Sequence, residues 1–145
     1  MAAWYPLILL VHLACAIVFI GAVAFEVLVL ESFHHQFEPA LMDRIEAAVM
    51  ARARRFMPIV VALLFLSGFA LFDLRCDGFA CIGTRFGWLL SLKVTLAFVV
   101  LGVFVGAVRA GARGTLDPCR FRHTHRIVLG LMVGIVILAK LMFYA

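Results

Sequence analysis

The sequence predicts an all-α integral membrane protein, a bundle of four transmembrane helices, on three observations. Apolar residues make up 66% of the 145 and charged residues 14%, against roughly 45–50% and 25% in a soluble domain. The mean hydropathy is +1.15. The apolar residues gather in four runs, each near the roughly 20 residues that cross a hydrocarbon core. None of the runs alternates in the manner of barrel strands. Helices then satisfy every backbone polar group within the segment, as lipid requires. Too little polar surface is left to coat a soluble globule. The disordered, collagen-like and nucleic-acid-binding classes fall on the same arithmetic. The formal charge of +5 implies no nucleic acid, because the arginines sit in loops between apolar runs.

The first helix is expected from Tyr5 to about Leu30 and the second from Phe56 to about Leu74. The third runs from Phe86 to Val108 and the fourth from Ile127 to Ala145. Pro6 and Pro58 are placed in first turns, where a missing N–H costs nothing. The start Met-Ala-Ala-Trp has no basic side chain, so the first helix reads as retained rather than as a cleaved signal peptide. No internal repeat, linker or low-complexity tract interrupts the single domain.

Arginine placement predicts the orientation. Arg44, Arg52, Arg54 and Arg55 follow helix one, and Arg109, Arg113, Arg120, Arg122 and Arg126 lie between helices three and four. The loop between helices two and three has only Arg75 and Arg85. The positive-inside rule puts both termini and that loop outside a cytoplasmic (inner) membrane. Cys76 and Cys81 share the external loop, where an oxidising compartment permits a disulfide. Cys15 and Cys119 read as free thiols.

Ionisable groups inside a bilayer are expensive and are functional candidates by default. His12 lies about 9 Å below the outer end of helix one, and Lys93 about as deep in helix three. Lys140 lies about 7–8 Å from the same side, and Asp73 closes helix two there. Each has a structural reading: interhelical hydrogen bonding for His12, snorkelling for the lysines. As a set at one level they read as a site. Glu26, fourteen residues after His12, falls on the same face near the inner end. It is expected to form a structural ion pair with Arg109, or with Arg55 or Arg126.

An imidazole inside a helical bundle suits the axial position of haem b. In that reading His12 ligates iron, and Lys93 is a second ligand or, with Lys140, a propionate partner. Gly21, Gly68, Gly102 and Gly106 would let a flat ring approach. Copper is the rival cofactor, with Met57, Met132, Met142 and Cys15 as soft donors, but no MxxxM or CxxC spacing organises them. His34, His35, His123 and His125 are adjacent or two apart, so they share no helical face. They read as loop surface. Nothing points to nucleophilic catalysis: GxSxG and P-loop patterns are absent.

The pattern resembles the family of small four-helix membrane proteins that includes HemJ-type protoporphyrinogen IX oxidase and the membrane domain of copper-resistance protein D. The resemblance spans LVHLACAIVFIGA, VMARARRFMPIVVALLFLSGFAL, GWLLSLKVTL and HRIVLGLMVGIVILAKLMFYA. It implies that His12 and Lys93 are the functional pair and that a b-type haem goes with them. The implied activity is an oxidoreductase of the protoporphyrinogen-oxidase or quinol-linked kind; the copper-resistance branch implies copper handling. Lys93 lies one residue further from Gly87 than in the oxidases, Phe104 to Ala107 replace a helix-three His pair, and the Cys76/Cys81 loop is extra. These departures bear on the substrate. The expected partners are the bilayer, a small electron donor and a second copy of the chain.

Overall fold

The structure is a computed structural model describing residues 2–76, 83–113 and 118–144. Every regular element among them is helical. A 3₁₀ turn, Ala2–Trp4, leads into α1, Tyr5–Phe25. A widened π turn, Glu26–Leu30, and a 3₁₀ turn, Glu31–His35, continue it. Then come α2, Pro39–Cys76, α3, Arg85–Ala112, and α4, Pro118–Tyr144. Four of these helical stretches are long and apolar enough to cross a membrane: Tyr5–His35, Pro39–Cys76, Arg85–Ala107 and His123–Leu141.

The main departure from expectation is the start of α2, at Pro39 rather than Phe56. The apolar run does begin near Phe56, but residues 40–55 are rich in Ala, Leu, Met, Glu and Arg, all good helix formers. Pro39 occupies the first helical position, where no N–H is needed, and Met42 N–H donates to the Glu38 carbonyl at 3.0 Å. The resulting 38 residues extend about 57 Å at 1.5 Å each, nearly twice the core thickness of about 30 Å. Pro58 therefore lies inside a helix, not in a first turn. Its ring leaves the Arg54 carbonyl without the usual i+4 donor. Pro6 does sit in the first turn of α1.

α1 packs most closely along α2, and α3 along α4; α1 also meets α4. The buried side chains form a narrow seam on each helix. α1 contributes Phe19 and Val23, α2 Met57 and Val61, α3 Val100, and α4 Val128 and Met132. On three of the helices the spacing is four residues, one stripe of a 3.6-residue period. Edge-to-face packing of Phe19 on Phe104, with centroids 5.8 Å apart, ties α1 to α3. Phe98 of α3 stacks between Phe65 and Phe69 of α2 at 5.8 and 5.9 Å. At the end carrying the termini, Cys76 and Leu90 form a second small core with Phe72, Phe86, Leu89 and Val94. There Arg75 Nε donates to the Tyr5 hydroxyl at 2.8 Å, and the guanidinium lies over the same ring.

Most apolar side chains point outward: Ile17, Leu28, Leu66 and Trp88 are each more than 60% exposed. The chain exposes 9480 Å², whereas a compact soluble protein of its mass would expose about 7,400 Å². The many exposed large hydrophobic side chains are suited to a lipid solvent. Burial between helices has little hydrophobic drive in such a solvent, so packing and interhelical hydrogen bonds hold the seam.

Candidate functional site

His12 is half-buried on α1 and faces α2. Its Nδ1 lies 3.0 Å from the Leu64 carbonyl and 3.1 Å from Ser67 Oγ. A carbonyl can only accept, so Nδ1 carries the proton and Nε2 keeps its lone pair. The Ser67 hydroxyl is committed elsewhere, donating to the Leu63 carbonyl at 2.7 Å, which leaves its oxygen free to accept from His12. The ring is thus clamped in one tautomer, the second-sphere arrangement that orients a ligating histidine. Nε2 makes no hydrogen bond among the described residues.

Gly68 makes room for the clamp. A Cβ at that position would stand 3.2 Å from His12 Cε1, tighter than ordinary contact. The small Ser67-Gly68 pair on α2 is therefore the seat of the imidazole. Gly21, Gly102 and Gly106, by contrast, face open space.

Lys93 comes from α3 to the same level. Its ammonium is half-buried and close enough to act electrostatically on the His12 ring. It makes no hydrogen bond or ion pair among the described residues. A charge held this way costs free energy unless an anion or a polar ligand meets it. Lys140 and Asp73 are both exposed, so the structure brings together His12 and Lys93 of the four grouped residues and leaves the other two at the periphery. Cys76 is buried; the expected pairing involves Cys81, which lies outside the described residues, as does the Cys119 side chain. Cys15 is a buried free thiol.

Glu26 takes a different partner from the expected Arg109. Its Oε2 lies 2.7 Å from Nε2 of His125 on α4, both side chains less than 20% exposed. The approach is off the ring N–H direction, and Oε2 accepts no hydrogen bond. The exposed Arg109 is not its partner, because α1 meets α4 closely at this level and His125 points into that contact. Arg126 instead holds Glu31, with Nε and Nη2 donating to Oε2 at 3.2 and 3.1 Å. His34 Nε2 lies 2.5 Å from Glu46 Oε1, joining the turn after α1 to α2. His34 and His125 are thus paired, partly buried groups rather than loop surface, while His35 and His123 are exposed. Sequence reasoning missed His125 because its partner lies 99 positions earlier in the chain. The available signal was a Thr-His-Arg at the start of an apolar run, opposite a carboxylate at the end of another.

Among the described residues no three His, Cys, Asp or Glu side chains converge on a common point. Comparison with known protein families, with characterised proteins and with solved structures yields no match.

Proposed function

We propose that the protein is a haem-b-binding membrane oxidoreductase, protoporphyrinogen-oxidase-like or linked to quinol oxidation. The observation that carries this reading is His12: an intramembrane imidazole whose Nδ1–H is bound to the Leu64 carbonyl, leaving Nε2 as a fixed nitrogen donor. The donor set fits a tetrapyrrole iron, because a porphyrin supplies four nitrogens and asks the protein for one or two. His12 would hold the iron from α1. Lys93 would serve as the second ligand or as the cation for a propionate. When bound, haem supplies one-electron transfer. The protein's residues orient the imidazole and place one cation beside the site. The resemblance of His12 and Lys93 to the functional pair of the HemJ-type family supports the same reading.

On the arginine distribution, we also place both termini on the outer face of a cytoplasmic membrane. An optical spectrum of the protein purified in mild detergent tests the function. A Soret band that disappears in His12→Ala is expected. A colourless protein carrying stoichiometric copper would overturn the haem assignment in favour of copper handling.

A further inference from the structure

The structure holds a second feature at the opposite end of the bundle. The α1–α2 and α3–α4 hairpins leave an open cavity of about 650 Å³ between them, reached by all four helices. That volume lies within the roughly 300–1,000 Å³ of small-molecule sites. Its walls include Phe19, Met57, Phe104 and Val128; Glu26 with His125 forms one polar edge, and Arg52, Arg54 and Thr124 also line it. Glu26 also opens the π turn, with Glu31 N–H reaching back to the Glu26 carbonyl. Such widened turns concentrate at functional sites. An intramembrane carboxylate, its widened turn and an apolar cavity therefore coincide. Glu26 lies about 21 Å along α1 from His12, so this is a separate site.

We propose that this cavity binds a hydroquinone-type amphiphile, its ring and tail among the Phe, Met and Val side chains and its hydroxyl on the Glu26–His125 pair. The inference rests on the oxidoreductase reading above and supplies a site for its electron donor. The polar edge selects the head group. A carboxylate beside an imidazole offers an acceptor to an O–H, the group that a hydroquinone presents. The aromatic walls favour a flat ring over a bundle of acyl chains. The cavity is open rather than enclosed, which gives an amphiphile a way in.

The test is photolabelling of the purified protein in nanodiscs with a reduced azidobenzoquinone bearing a short isoprenoid tail, followed by peptide mapping. Adducts are expected within residues 19–26, 53–58 and 103–107, and excess decylubiquinol should suppress them. Glu26→Ala should weaken that competition about tenfold, as expected for losing one charge-assisted hydrogen bond. Ala107→Phe, which fills the cavity without touching the pair, should abolish the adducts in a protein that still purifies as a folded species. His12→Ala should leave them unchanged, which separates this proposal from the haem assignment. The proposal is overturned if adducts fall only on lipid-facing positions, or if Ala107→Phe labels fully. It is equally overturned if an anionic phospholipid competes and decylubiquinol does not. Absence of adducts in protein with an intact Soret band would defeat the cavity proposal and leave the haem reading standing.

Discussion

His12 illustrates how one backbone carbonyl can decide the chemistry of a side chain. The Leu64 oxygen accepts from Nδ1, so the basic nitrogen must be Nε2. If the protein holds haem as we propose, His12→Ala should therefore give an inserted protein that retains none, read from the Soret absorbance per mole of protein. The clamp itself can be probed without removing the imidazole. Ser67→Ala deletes one of the two acceptors and should weaken haem retention by about tenfold at most, the lower range for a second-sphere partner. Gly68→Ala should shift the Soret band, because the added methyl presses on Cε1 at 3.2 Å. The two lysines should separate cleanly. Lys93→Met keeps the stem but removes the unpaired charge beside His12, and should shift the spectrum or lose haem. Lys140→Met should leave the spectrum nearly unchanged, since that side chain is exposed. A silent Lys93 variant beside a bleached Lys140 variant would reverse the assignment.

At the scale of elements, the joint between α1 and α4 is made by the Glu26 turn. A π turn inserts one residue and rotates the next stretch of chain by about 100° relative to a regular helix. That rotation sets Leu30 inside and Glu31 toward Arg126. Removing either member of the Glu26–His125 pair strands a largely buried polar group, at a cost of about 1–3 kcal/mol. Glu26→Ala and His125→Ala should each lower stability by that order, and the double variant should lose less than their sum. Thermal unfolding in detergent, analysed as a double-mutant cycle, measures it. Additive losses would show that the two side chains are not coupled. The four apolar runs were legible in the sequence because span length and composition report directly on the bilayer. The early start of α2 was not, since hydropathy counts where lipid begins and the helix is continued by propensity and tertiary contact, including the His34–Glu46 bond.

For the whole molecule, the even number of spans places the two termini at one end, and the arginine-rich segments at the other. The orientation we infer predicts an asymmetry in labelling. In a background lacking the native cysteines, Gly83→Cys should react with a membrane-impermeant thiol reagent in intact cells. Gln36→Cys should react only after permeabilisation. Both positions are exposed, so access depends on the side of the membrane rather than on burial. Reaction of the position-36 cysteine in intact cells would invert the topology.

The sequence by itself determined the solvent, the helical class and the level of His12 and Lys93, because each is set by composition and by residue counts along a helix. It also singled out Glu26 as a charge that needs a partner. The tertiary structure decided which partner. Several arginines lie in the segments at Glu26's end of the bundle, yet the close approach of α1 to α4 selected His125. The same holds for the glycines: composition offered four as equivalent, and packing put His12 against Gly68 alone among them. Periodicity assigns a residue to a face of its own helix. Which neighbour that face meets depends on crossing angles and on a single widened turn, and these arise only when the helices pack together.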